Sequence, residues 1–414
     1  MKDYLDANED KMYELGDLLF KTPELGYKEF ETKKILTSLF EENGIKTREL
    51  GSETAFCVTL GKGKPHIGLI AELDGIPTLG HKYANKNDNN AAHACGHSSQ
   101  CVAMAYAFLA LAKQGIDKGK VTLFFTPAEE FTDVEYRRRL IKEKKIRYIG
   151  GKTNMLADGL FDDVDMFIHL HGMGNEGYDF SVGGRLGGFT YKKISFLGKA
   201  SHAAVAPEKG IDAMDMFVDF YAKMKEIRNA YPKEDLVRIH GIIIEGGQSV
   251  NSIPERVTYE LYNRSIDPMI LQELNKRIDE AAKKAAKDHK GKVKIETIPG
   301  YLPLMQDDNL NEIIAKSISK YSGNIRYGHD SIAAGDVGDI SMFKPIIQFG
   351  YAGFEGAFHS KDFCIKDNKK VYLLPAKIVR DSVNELLNNK EAVRKIKKYQ
   401  PLMSKEEYLE YLKG

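Results

Sequence analysis

Apolar residues recur at spacings of three and four through MYELGDLLF and KEFETKKILTSLFEENG. This spacing predicts helices over most of residues 1–43, the second stopped by Gly44. Short apolar runs then alternate with helical stretches. FCVTLG, HIGLIAELD, KVTLFFTPAEE and VDMFIHLHG read as strands, and SSQCVAMAYAFLALAKQG as a buried helix ending at Gly115. Strands alternating with helices predict an α/β domain with a mostly parallel sheet and flanking helices. Acidic or histidine residues stand at the ends of these strands, where open α/β sheets gather their ligands.

The pattern changes at the glycine-rich VGGRLGGF. FTYKKISFLGK alternates like a half-exposed strand, and IDAMDMFVDFYAKMKEIRNA is an amphipathic helix. Two strands follow (LVRIHGIIIEGG, RVTYELYNRSI), then the helix DPMILQELNKRIDEAAKKAAKDHKG and the strand KVKIETIPG. This β-α-β-β-α-β order predicts a ferredoxin-like α+β domain. It is placed at 188–300, inserted into a first domain made of 1–187 and 301–414. The polar stretch KEAVRKIKKYQPLMSKEEYLEYLKG reads as a surface helix pair.

Composition narrows the function. Lys+Arg total 60 and Asp+Glu 59 among 414 residues, a formal charge of +1. That balance argues against a protein built to bind nucleic acid or an anionic membrane. The basic run EYRRRLIKEKKIRYIGGK (135–152) lacks a broad basic setting and reads as a solvated helix and loop. The longest apolar run, Cys101–Ala112, is too short to span a bilayer, and no signal peptide is evident. Four cysteines form no dense framework. A cytoplasmic location is expected.

Six short segments could carry chemistry. In HACGH, Cys95 and His97 flank a glycine and offer thiolate and imidazole, both good ligands for zinc-like metals. TPAEE ends in Glu129 and Glu130. Two adjacent buried carboxylates repel unless a cation is near; one can then bind metal while its neighbour takes a proton from water. HLHG puts His169 and His171 on one strand face, His171 at the carboxyl end as the better ligand, and His169 as a core histidine in preference to a residue that supports a ligand from behind. FHSKDF carries His359 in a loop, and GKASHAAVAP carries His202 after a strand. In GGQSVNSIPERVTYELYNR, Asn251 and Arg264 lie 13 residues apart. Arginine's planar fork can hold a carboxylate.

Together, AELDGIP (71–77), HACGH (93–97), TPAEE (126–130), VDMFIHLHG (164–172), GKASHAA (198–204), SVNSIP (249–254), Arg264 and His359 resemble one family. It is that of the metal-dependent amidohydrolases and exopeptidases, which includes aminoacylase, carboxypeptidase G, hippurate hydrolase and the auxin-conjugate amidohydrolases. HACGH followed by PAEE marks the branch with a cysteine ligand, and GDVGDISMFKP (335–345) looks most like its p-aminobenzoyl-glutamate hydrolase and dipeptidase side. The resemblance implies two divalent ions, zinc or manganese with cobalt or nickel as alternatives, on Cys95, His97, Glu130, His171 and His359. It implies Glu129 as general base, Asp74 as the acid that orients a ligand, and His202 as the group polarising the scissile carbonyl. His202 would come from a partner subunit, hence a homodimer. Asn251 and Arg264 would hold a small substrate with a free carboxylate. The expected reaction is amide hydrolysis of N-acyl amino acids, aminoacyl conjugates or dipeptides by a metal-activated water.

The chain departs from the family pattern at Ser98, where Asp or Asn is usual, and at Gln100, where many members have His. Glu72 takes the place of a metal-binding His in related carboxypeptidases, and metal binding is not carried over to it. Two rival readings follow. One is a thiol hydrolase with Cys95 as nucleophile. The other is a weak or inactive member that binds an amino-acid conjugate or serves as a partner subunit.

Overall fold

The computed structural model describes residues 3–174 and 176–414. They divide into two compact units. The first comprises 1–184, 305–329 and 339–403; the second comprises 185–304, 330–338 and 404–414. The second unit thus takes in two segments outside 188–300.

The first unit is built on an eight-stranded sheet. Its strands run in the order Thr47–Leu50, Ser52–Lys62, Gly119–Thr126, His66–Glu72, Met166–Gly172, Ile346–Tyr351, Phe180–Val182 and Ile325–Tyr327. The four in the middle are parallel to one another. His66–Glu72 is buried along its whole length, as a central parallel strand covered on both faces must be. Register sets Glu72 beside Thr126 and His171 beside Gly350. The segments leaving these strands therefore emerge at one edge, and they are the segments that carry Asp74, Glu129, Glu130 and His171.

Helix His97–Gln114 is buried from His97 to Leu111. Its alanines let helices Glu9–Phe20 and Leu374–Asn388 pack closely on it. Gly96 precedes it at φ 85, a left-handed turn that glycine adopts without strain. This turn brings Cys95 and His97 to the sheet edge. The helix also stops where expected, with Gly115 as its cap.

The second unit has the β-α-β-β-α-β order. Its four strands run in the order Arg238–Glu245, Arg256–Ser265, Gly188–Leu197 and Lys292–Pro299, all antiparallel. Helices Ala213–Asn229 and Pro268–Asp288 cover one face through a core that includes Ile194, Phe196, Phe220, Leu261 and Ile278. Asp267 caps the longer helix by accepting from the N–H groups of Met269 and Ile270.

Two expectations need correction. The basic run is not uniformly solvated: Arg137 and Lys152 are wholly buried. Each has buried partners, described below. The last two helices, Lys390–Ile396 and Lys405–Tyr411, do not form one pair, for they belong to different units.

Candidate metal centre

The first unit draws six of the expected side chains into one cluster. Cys95, His97 and His171 offer donor atoms within 4.8 Å of one another, as do Cys95, Glu130 and His359, and again His97, Glu129 and Glu130. Cys95 Sγ lies 3.6 Å from His171 Nε2 and 3.2 Å from His359 Nε2. His359 Nε2 is 3.3 Å from Glu130 Oε1, and His97 Nε2 is 3.8 Å from Glu129 Oε2. Cys95, His97, Glu129 and Glu130 are buried, His171 half-buried and His359 exposed.

The tautomers follow from the acceptors. His97 Nδ1 donates to the Asp74 carbonyl at 2.9 Å, and His171 Nδ1 donates to the Gly172 carbonyl at 2.8 Å. A carbonyl only accepts, so each ring donates from Nδ1 and turns its Nε2 into the cluster. This is the usual preparation of a metal-ligating histidine. Asp74 also accepts from the Glu130 N–H at 2.9 Å. It therefore touches two expected ligands at once.

Two buried atoms aimed into the cluster, His97 Nε2 and Glu130 Oε1, have no hydrogen-bond partner among the described residues. Buried polar atoms are rarely left so without a reason. Thiol, imidazole and carboxylate donors within one small volume fit a divalent, zinc-like ion. Burial, with the Glu130 charge beside it, pushes the Cys95 thiol well above its ordinary value. That is the reverse of the depressed value a nucleophilic cysteine needs, and it counts against the thiol hydrolase. Burial, with the charge on His97, lowers His171 to about 4, so its ring is neutral and able to ligate.

Behind His97 lies a second buried layer that the sequence did not reveal. Glu72 Oε1 accepts from Lys152 Nζ at 2.6 Å, with both side chains sealed from solvent. Glu72 Oε2 accepts from Gln100 Nε2 at 3.0 Å and lies 3.4 Å from His97 Nε2. Gln100 Oε1 in turn accepts from the Glu72 N–H, and its amide also donates to the Leu170 carbonyl. His169 stands 3.3 Å from Glu72 and donates from Nδ1 to Gln348. Burial alone would raise Glu72, but Lys152, His169 and His97 hold it well below the usual carboxylate range. Glu72 is thus a charge locked by its neighbours, and Gln100 is fully employed. No spacing signal pairs Lys152 with a carboxylate 80 residues away.

His202, Asn251 and Arg264 belong to the second unit. His202 and Asn251 are exposed, and Asn251 Nδ2 lies 3.5 Å from His202 Nε2. Backbone pairing holds them together, with the Ala203 N–H donating to the Asn251 carbonyl at 3.1 Å. Arg264 stands apart from them on strand Arg256–Ser265. Its guanidinium rests 5.2 Å from the Phe189 ring centre and 5.6 Å from that of Tyr262. Among the described residues no carboxylate forms an ion pair with it.

Comparison with known proteins agrees with this chemistry. The sequence model of peptidase family M20/M25/M40 matches residues 68–380. N-acetyl-L-cysteine deacetylase of Bacillus subtilis is 28% identical over 315 residues, covering 73% of this chain and 70% of its own. Hippurate hydrolase of Campylobacter jejuni is 24% identical over 367 residues, covering 84% and 90%. Among solved structures, the Bacillus subtilis protein YXEP, described as a dinuclear metal binding peptidase from the M20 family, superposes with a TM-score of 0.72. It is 18% identical and covers 92% of this chain and 99% of its own, a likeness of fold.

Proposed function

Because the chain belongs to peptidase family M20/M25/M40 and is a metal-dependent hydrolase, we propose that it cleaves the amide bond of an N-acyl amino acid, an aminoacyl conjugate or a dipeptide. The observation that carries this reading is the convergence of Cys95, His97, Glu129, Glu130, His171 and His359 at one sheet edge. Two divalent ions would be held there by Cys95, His97, Glu130, His171 and His359. The mixed donor set suits zinc or manganese, with cobalt or nickel as alternatives. When bound, such ions acidify water and polarise a carbonyl.

The chain's own groups supply the rest. Glu129 takes the proton of the attacking water and returns it to the leaving amine. Asp74 keeps His97 in the ligating tautomer and fixes the Glu130 backbone. His202 donates to the oxygen of the scissile carbonyl as charge grows on it, with Asn251 beside it. Arg264, without a carboxylate partner among the described residues, takes the carboxylate of the amino-acid part and orients the substrate.

His202 acts on the site of a second copy, so the working form is a homodimer. Ile242, Ile243 and Ile244 support this reading, for they lie exposed on the outer strand Arg238–Glu245, where a second chain can pair. The four cysteines are free thiols, in keeping with a reducing cytoplasm. Among the described residues no helix is long and apolar enough to cross a membrane.

Mass-spectrometric product analysis tests the proposal. Manganese-loaded and zinc-loaded enzyme meet a pooled panel of N-acyl amino acids, folate-type glutamate conjugates and dipeptides, with Glu129→Gln as control. Cleavage that vanishes in the control is expected. A folded, metal-filled enzyme that cleaves nothing in the panel would transfer weight to the binding-subunit reading.

A further inference from the structure

The turn that delivers Glu129 and Glu130 is unusual in its backbone. Ala128 sits at φ 56, in the left-handed region, and is wholly buried. A left-handed alanine costs roughly 1–2 kcal/mol, so something outside the turn must hold it. Three groups do. The Ala128 N–H donates to Glu29 Oε1 at 2.9 Å, from a carboxyl that is itself fully buried. On the other side the Ala128 carbonyl accepts from the Gly151 N–H at 3.3 Å and from Arg137 Nη1 at 3.4 Å. A Cβ at residue 151 would lie 1.7 Å from the Pro127 carbonyl oxygen, so this contact requires glycine. Arg137 is wholly buried as well and spans from Ala128 to the Ile149 carbonyl.

We propose that Glu29 is a positioning residue of the hydrolytic site: its buried carboxyl, opposed by Arg137, clamps the Ala128 peptide so that Glu129 and Glu130 enter the cluster at fixed positions. The proposal rests on the reading of Glu129 as base and Glu130 as ligand. Glu29 lies about a hundred residues from the turn and touches none of the expected ligands, so its action runs through the backbone. Burial, and secondarily the Asp74 charge, raises Glu29 to about 8. The clamp is therefore a neutral acceptor near neutral pH. Glutamine, with the same shape and the same acceptor oxygen, can replace it, while leucine and aspartate cannot. Leucine has no acceptor, and aspartate is one methylene too short.

The test compares Glu29→Gln, Glu29→Asp and Glu29→Leu in the full-length enzyme. Three quantities are read: kcat per metal-filled molecule, KM, and the zinc dissociation constant by competition with a chromophoric chelator. Misplacing a base by a fraction of an ångström to one ångström costs on the order of 100-fold in rate. Glu29→Leu should therefore lower kcat about 100-fold with KM within about threefold, and weaken zinc about tenfold, as supporting-residue losses do. Glu29→Asp should fall between, and Glu29→Gln should recover most of the loss. If Glu29→Leu does not fold, the Asp and Gln pair carries the same comparison. Wild-type kcat and zinc affinity in Leu or Asp, even with a lower melting temperature, would reduce Glu29 to a stabilising residue and overturn the proposal. So would a Gln variant as impaired as Leu. Wild-type enzyme inactive on the whole panel would instead break the reading of the reaction, while the zinc measurement would still decide the clamp.

Discussion

In the first unit Cys95, His97, Glu129 and Glu130 are buried; Asp74 holds the His97 ring and the Glu130 peptide, while Glu29 and Arg137 hold the Ala128 peptide before Glu129. In the second unit the His202 and Asn251 side chains stand in solvent, 3.5 Å apart, and Arg264 leans on two rings. The difference follows from charge. Carboxylates crowded in a low-dielectric volume repel, so the fold must hold them in place before any cation arrives. A histidine and an asparagine in water pay no such cost, and their own loop suffices to hold them: the Ala204 and Val205 N–H groups donate to His202 Nδ1. The buried set is held by remote parts of its unit, the exposed pair by its immediate neighbours.

Four substitutions sharpen or break this contrast. The largest effect belongs to Glu129→Gln, which should lower kcat about 1,000-fold, within the range for a general base, while plasma-mass-spectrometric metal content stays near that of the wild type. Next is Lys152→Met. It removes the ammonium 2.6 Å from the buried Glu72 carboxylate and should cost about 3–5 kcal/mol in urea unfolding; a cost below about 1 kcal/mol would mean that Lys152 does not balance Glu72. His202→Ala comes third, with kcat lower by about 100-fold, as for one oxyanion donor, and metal content untouched. Loss of metal in that variant would break the division between the units. Arg264→Ala is the mildest: KM for a carboxylate substrate should rise about tenfold, near the lower end for a charged hydrogen bond, with kcat within about threefold. An amidated substrate should not register the change.

The cluster was legible wherever chemistry is written in neighbouring residues. HACGH and TPAEE announce themselves because each packs several donors into five residues, and the parallel strands were readable from their apolar runs. What could not be read is pairing across the chain. Lys152 and Arg137 look like any other cations in a basic run, and only folding shows that one meets Glu72 and the other Ala128. Gln100 looked like a loss relative to histidine, yet its amide serves Glu72 and Leu170 together. Glu29 gave no signal at all. An acid at a helix start suggests an ordinary cap, whereas its side chain reaches a turn about a hundred residues away.

Among the six clustered groups His359 alone is exposed, on a loop whose backbone is tied to the Ala94 carbonyl. The cluster therefore has a wet end at His359, 3.2 Å from Cys95 Sγ, and a dry end at His97. An ion held at the wet end would be the one within reach of a chelator in solution.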